Sequence, residues 1–255
     1  MDIPPRDRLA AALRHHAPEL GRKASGGDPG MTVPTCPDWT LRQLVEHIGG
    51  ALPAMAQMIE SRAREPLPQV VPDGMNPHHW EAWLGGGADR LIAAVEAAGE
   101  PVWSPFGDDV PAEFWLRRLL HDTTVHHADA AITVGADWAL DADLAADGIA
   151  EGMALVTSPF VARVKPEIAQ LRGDGETLLW RPAEADLPAW LITRTPDGPR
   201  VSETARGADA QVIVRGAAAD LFLLLSRRVT ADDPRLKVIG DRALLDHWTS
   251  LTAFG

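Results

Sequence analysis

The sequence predicts two unlike parts, a helical N-terminal region over residues 1–170 and a small α+β unit over residues 171–255. Two observations carry that reading. Up to about residue 164, apolar residues recur at helical spacing in segments of bundle length, with no convincing pair of strands among them. Near Gly173 the texture changes to short strand-like runs separated by Pro-Asp-Gly-Pro and Arg-Gly-Ala-Asp turns. Neither part contains an internal repeat or a low-complexity tract, so the shift reads as a domain boundary between residues 165 and 175.

In chain order, Leu9, Ala12, Leu13, His16 and Leu20 predict a first helix over 6–23, stopped by the Ser25–Gly30 breaker cluster, with His15 and His16 on its surface or flank. The Pro-containing run 33–39 is non-helical. Thr40 and Gln43 then form a capping box for a helix whose stripe is Leu41, Leu44, Val45, Ile48, Leu52 and Met55. His47 lies about 110° from the centre of that stripe, beside Ala51 and Ala54. It is either a flank histidine at a packing boundary or one pointing into space left by small neighbours. Asn76-Pro77 caps a helix carrying Trp80, Trp83 and Leu84. That helix either breaks at Gly85-Gly86-Gly87 or continues through Leu91, Ile92 and Val95. His78 and His79, in its first turn, are a secondary metal candidate. Two further helices are expected over 111–134 and 144–164. In the second part, strands are expected over 176–181, 189–194, 200–203, 211–215 and 236–239, with helices over 217–228 and 241–251.

Composition narrows the function. A hydrophobic content of 45% with 24% charged residues is that of a soluble globular chain. The formal net charge of −12 argues against nucleic acid or an anionic membrane as the main partner. There is no tyrosine to act as acid, base or nucleophile, and the single cysteine, Cys36, excludes an intramolecular disulfide. With no apolar leader at the N-terminus and no apolar run near the roughly 20 residues a bilayer needs, a cytoplasmic location is expected. Cys36 sits in a Pro-rich turn with no base beside it in the sequence, a weak setting for a nucleophile.

The informative stretch is 115–130. At about 100° per residue, Trp115, Leu119, Asp122 and His126 share one helix face. Asp122 and His126 are neighbours one turn apart. A carboxylate in line with a tryptophan and a leucine faces the interior, where a charge needs compensation. Either a buried Asp–His hydrogen bond or a divalent metal with one more ligand supplies it.

Several ordered landmarks resemble a known family. The run Val33-Pro34-Thr35-Cys36-Pro37-Asp38-Trp39 through His47 and Gly49, the run His121-Asp122-Thr123-Thr124-Val125-His126-His127-Ala128-Asp129-Ala130, the segment Asp147–Glu151, and the C-terminal Val214–Arg228 followed by Ile239-Gly240-Asp241 are similar to the mycothiol-dependent maleylpyruvate isomerase family. The resemblance covers nearly the whole chain. It implies a DinB-like four-helix-type bundle holding zinc or another divalent metal through His47, Asp122 and His126, followed by the family's C-terminal domain. It also implies mycothiol or a similar small thiol and a small electrophilic substrate as partners, with neither nucleic acid nor membrane. In the family's reaction a thiolate adds to a cis double bond of a maleyl-type acid, the central bond rotates, and elimination leaves the trans isomer. An arginine of the C-terminal domain assists, for which Arg228 is the candidate, with Arg227 behind it; both equally suit a solvated or helix-capping role. Three departures mark this chain: Asp122 in place of glutamate, His127 where arginine is usual, and Ser226 where tryptophan is common. Two other readings stay open, a thiol S-transferase that releases a stable conjugate and a non-enzymatic metal or small-ligand binding protein.

Overall fold

The computed structural model describes residues 2–252, and its contacts divide the chain into two compact units, Pro5–Trp138 and the residues from Ala139 onward. The first is a four-helix bundle of α1 (Arg6–Ala24), α2 (Leu41–Ser61), α3 (Trp80–Ala97) and α4 (Glu113–Val134), preceded at α2 by a small antiparallel hairpin, β1 (Thr32–Val33) and β2 (Cys36–Thr40). Helices α1 and α2 each pack on both α3 and α4, which makes α1/α2 and α3/α4 the diagonals. The expected capping box is present: the Thr40 hydroxyl accepts from the Gln43 N–H and the Gln43 side chain accepts from the Thr40 N–H. This fixes where α2 begins, and so where His47 stands.

The core of this unit is aliphatic, with Leu9, Leu13 and Leu20 of α1 and Leu44, Ile48 and Leu52 of α2 essentially inaccessible to solvent. Burying each such side chain contributes about 1.5–3 kcal/mol. Gly85-Gly86-Gly87 does not break α3, which is one continuous helix. Glycine matters more at the helix crossings. A Cβ on Gly21 would fall 2.6 Å from the Trp80 carbonyl carbon, and one on Gly49 would fall 2.2 Å from the Trp83 ring. Glycine at these positions lets α1 and α2 close onto α3.

The second unit has a five-stranded sheet in the order β5-β4-β3-β6-β7, with β3 (Thr177–Pro182), β4 (Ala189–Thr195), β5 (Gly198–Thr204), β6 (Val212–Gly216) and β7 (Lys237–Gly240). Only the central pair β3–β6 is parallel; the other pairings are antiparallel. Leu178, Leu179 and Trp180 of β3 are all buried, as a strand covered on both faces requires, whereas edge strand β5 has no buried residue. Helix α5 (Ala142–Val156) packs on α7 (Ala218–Leu225), close enough that a Cβ on Gly152 would meet the Leu225 side chain at 2.9 Å. The expected helix over 144–164 is two: α5 ends at Val156, and Ser158 caps a new helix, α6 (Pro159–Val164), with Pro159 in its first turn. Helix α8 (Arg242–Thr252) completes the unit.

The compact units thus divide after Trp138, earlier than the boundary read near residues 165–175. The physical reason is that four helices already close the bundle at α4, while α5 finds its apolar partner in α7. No helix among the described residues is long and apolar enough to cross a membrane.

Helix α4 is buried on more than one side, and this corrects the reading of His16. His16 is only 4% exposed, and its Nδ1 lies 3.0 Å from Nδ1 of the equally buried His127. Two facing ring nitrogens share one proton, so one donates and the other accepts. Burial, and then the charges of His16 and Lys23, push the His127 imidazole down to about 3 from an ordinary 6.5. The unfolded chain therefore binds a proton that the folded chain refuses as pH falls through this window. The contribution to stability is complete above about 6.5 and is lost progressively toward about 3. Thermal unfolding followed by circular dichroism should show a lower midpoint at about pH 5 than at about pH 7.5. His127→Gln should shrink that difference; an unchanged difference would remove His127 as its source.

Candidate metal centre

Helices α2 and α4 and the β1–β2 hairpin converge on one cluster. From α2, His47 points its Nε2 at Asp122 of α4, 3.4 Å from Oδ2. One turn further along α4, Nε2 of His126 lies 4.0 Å from the other carboxylate oxygen, Oδ1. The ligand atoms of His47, Asp122 and His126 all lie within 4.8 Å of one another. Two ligands about 2.0–2.1 Å from a tetrahedral zinc are about 3.4 Å apart, so the His47–Asp122 edge already has the spacing of a ligand pair and the Asp122–His126 edge is slightly wide. Two imidazole nitrogens and a carboxylate oxygen are also a chemically suitable donor set for zinc. The residues fit a divalent metal.

Asp122 is less interior than the sequence suggests. Its side chain and that of His47 are each 31% exposed, whereas the His126 side chain is 9% exposed. Asp122 thus sits at the rim of the helix packing, facing His47 of α2. Burial acts to raise its pKa, but the hydrogen bond with His47 and the charges of His126 and Arg118 outweigh this and hold the carboxyl well below the ordinary range. The Arg118 guanidinium, one turn back on α4, is 3.6 Å from Oδ1. The carboxylate is therefore ionised at neutral pH, as a metal ligand must be.

Behind the ligands stands a residue to which sequence reasoning assigned no role. Asp129 has no solvent exposure, and its Oδ2 lies 2.8 Å from Nδ1 of His126. Because a carboxylate only accepts, Nδ1 carries the proton and Nε2 keeps its lone pair toward Asp122 and His47. The signal for Asp129 in the sequence is the i,i+3 His–Asp spacing on α4, which does not by itself show that Asp129 is buried. The hairpin locks Asp129 in turn: the Thr35 hydroxyl donates to Oδ1 at 2.5 Å, and the Cys36 thiol lies 3.7 Å from Oδ2. Cys36, His126 and Asp129 form a second compact group of ligand-type atoms. The turn that looked remote from any base thus folds Cys36 against the buried His126–Asp129 pair. Trp39, at the end of the same hairpin, packs its ring against both His47 and His126, with centroids 4.9 and 5.5 Å away.

Other candidates fall elsewhere. His78 and His79 are exposed and belong to neither ligand group found among the described residues. Arg228 lies in the second unit, just past α7. There the backbone N–H of Arg227 donates to the Leu224 carbonyl and that of Arg228 to the Leu223 carbonyl, with Arg227 in the left-handed region at φ 60. This is a Schellman termination with arginine where glycine is usual. The Arg228 side chain is buried and donates to the Ser226 carbonyl at 2.6 Å. The pair caps the helix end, one of the two roles its position allowed.

With this geometry in view, residues 9–131 match the family model of the mycothiol maleylpyruvate isomerase N-terminal domain. An uncharacterized protein of Mycobacterium tuberculosis, present in two strains, is 29% identical over 132 residues, which span 51% of this chain and 69% of the relative. Among solved structures, the crystal structure of the mycothiol-dependent maleylpyruvate isomerase superposes with a TM-score of 0.56 at 17% identity, covering 92% of this chain and 93% of the other. A point mutant of that enzyme gives 0.55 at 17% identity, covering 89% and 90%. At such identity these two likenesses show the fold alone. Within its helical unit, the chain is thus similar to the mycothiol maleylpyruvate isomerase N-terminal domain over residues 9–131.

Proposed function

We propose that the protein is a metal-dependent enzyme that uses a low-molecular-weight thiol of the mycothiol kind, acting on an electrophilic unsaturated substrate in the manner of a maleylpyruvate isomerase. The observation that carries this reading is the convergence of His47, Asp122 and His126, with Nδ1 of His126 tied to Asp129. A divalent metal bound there supplies Lewis acidity that holds a thiol ligand as thiolate, the form that adds to a conjugated double bond.

The chain's own residues do the rest. His47 and His126 present ring nitrogens across the carboxylate of Asp122, and these three residues would hold the metal while leaving it accessible to a thiol. Asp122 brings one negative charge, so a divalent cation keeps net positive charge for that sulfur. Trp39 covers one side of both imidazoles and limits water at the donor atoms. Asp129 fixes the tautomer and orientation of His126 from a fully buried position. The resemblance to the family further supports Arg228 as the cation for an anionic part of the substrate.

Metal analysis tests the ligand set directly. Protein purified without chelator should carry one zinc or similar divalent ion per chain, and His126→Ala should lose it. With mycothiol and a maleyl-type acid, the loaded protein should isomerise the acid and leave the thiol unconsumed. An accumulating adduct would make it an S-transferase. Metal-free protein that stays metal-free on reconstitution would end the enzyme reading in favour of a plain binding protein. Asp129→Asn should weaken zinc binding by about 10–100-fold in a chelator competition while the circular dichroism spectrum is retained. Unchanged affinity would relegate Asp129 to packing. For Arg228, the Lys variant should keep more activity than the Ala variant, with the loss in KM for a carboxylate substrate. Equal activity in both variants would leave Arg228 with its capping role alone.

A further inference from the structure

The bundle contains a pocket distinct from the metal ligands, with a volume of about 160 Å³ and walls that include Ala51, Ala54, Met55, Trp103, Trp115 and Leu119. Gln69 is the single polar side chain among its lining residues. The indole N–H of Trp115 donates to the Trp103 carbonyl at 3.0 Å, so the tryptophan wall offers ring carbon to the interior. No lysine or arginine lines it.

Helical register puts this pocket beside the candidate metal centre. On α2, Ala51 follows His47 by four residues and Met55 by eight; on α4, Leu119 precedes Asp122 by three and Trp115 by seven. Because His47 and Asp122 are in contact, the two stripes face each other, and they recede from the ligands in the same direction. At 1.5 Å rise per residue, the pocket starts about 4.5–6 Å along the helices from the ligand group. Its loop wall is braced: Val102 and Val110 exchange backbone hydrogen bonds at 2.8 and 2.9 Å around Trp103, and Arg64 pairs with Asp109 through both carboxylate oxygens at 3.1 and 3.2 Å. Ala51 and Ala54 are the small neighbours of His47 that leave the space open.

We infer that this pocket binds an uncharged, ring-sized apolar group of the electrophilic substrate, while the reacting bond reaches back to His47, Asp122 and His126. The inference rests on the proposed function for the identity of the occupant as substrate. A cavity of about 150 Å³ with apolar walls takes one benzene-sized ring, which sets the size class. A carboxylate in the same place loses part of its hydration without meeting a lysine or arginine among the lining residues, so the pocket selects against a diacid that projects its second charge there.

The test uses benzylacetone, a saturated and therefore unreactive aryl ketone, and its para-carboxylate analogue, titrated calorimetrically into the zinc-loaded protein without thiol. Benzylacetone should bind at least about tenfold more tightly than the carboxylate. Ala54→Trp, which fills the pocket, should lower benzylacetone affinity by a similar factor with zinc content unchanged. Should that variant misfold, Met55→Ala provides the second arm: by enlarging the pocket it should shift preference toward the naphthyl analogue. Equal binding of ring and carboxylate, or variants that leave ring affinity untouched, overturns the inference while zinc retention keeps the metal-centre reading intact. Ring binding that disappears in Ala54→Trp in a protein unable to hold zinc upholds the pocket and sinks the metal reading instead.

Discussion

A carboxylate with no access to solvent, Asp129, is the constraint around which the site is built. Leaving such a group without donors costs several kcal/mol, so whatever supplies them is held firmly in place. Donors from two directions meet it: the His126 imidazole from the same helix and the Thr35 hydroxyl from the hairpin. The hydrogen bonds thus tie a short, two-stranded ribbon to α4, a ribbon that would be marginal alone. The same contact decides which nitrogen of His126 faces the ligand cluster. One buried charge therefore does three things, anchoring the hairpin, choosing a tautomer and, through Trp39 at the hairpin's end, roofing the ligands.

Helix α4 carries polar chemistry on two faces. Asp122 and His126 look toward α2, while His127 looks toward α1 and His16. A helix with polar groups inside the bundle forgoes part of the apolar burial that usually drives association. Compensation comes from Leu116, Leu119 and Leu120 on the same helix and from the tight α1–α3 and α2–α3 crossings that Gly21 and Gly49 permit. The histidine pair is the weaker bargain of the two polar faces, because protonating His127 competes directly with burial. It tolerates neutral imidazoles and little else.

Much of this was readable beforehand, where local chemistry dominates. The Thr40/Gln43 capping box, the breaker at Gly26-Gly27 and the alternation of short apolar runs after Gly173 each act over a few residues, and each element appears close to its expected bounds. Helical spacing pairs Asp122 with His126, and the family resemblance adds His47 to them. What the sequence hid is long-range. The His126–Asp129 pair was visible as spacing, yet its burial depends on where the hairpin lands. The depth of His16 depends on His127, which is 111 positions away. The parallel pairing of β3 with β6 skips two intervening strands, and nothing local in either strand announces it. The domain boundary moved for a similar reason: α5 looks like one more bundle helix until its partner α7, far along the chain, is known.

The triangle of ligand atoms has one edge that the fold can adjust and one that it cannot. Asp122 and His126 are four apart on a single helix, so their 4.0 Å separation is set by backbone geometry and by rotamers. His47 and Asp122 sit on different helices, and their 3.4 Å separation is set by how closely α2 and α4 pack. A carboxylate on a side chain one methylene shorter than glutamate has less reach and fewer torsions with which to compensate a misplaced helix. The burden of closing the ligand set then falls on the α2–α4 spacing. That spacing depends on residues that are not themselves ligands: the glycine at position 49 that lets α2 sit against Trp83 of α3, the aliphatic stripe through Ile48 and Leu52, and the capping box that sets the register of α2. In this chain the bundle core therefore helps to position the candidate ligands, and a small packing change there reaches the candidate metal site through His47.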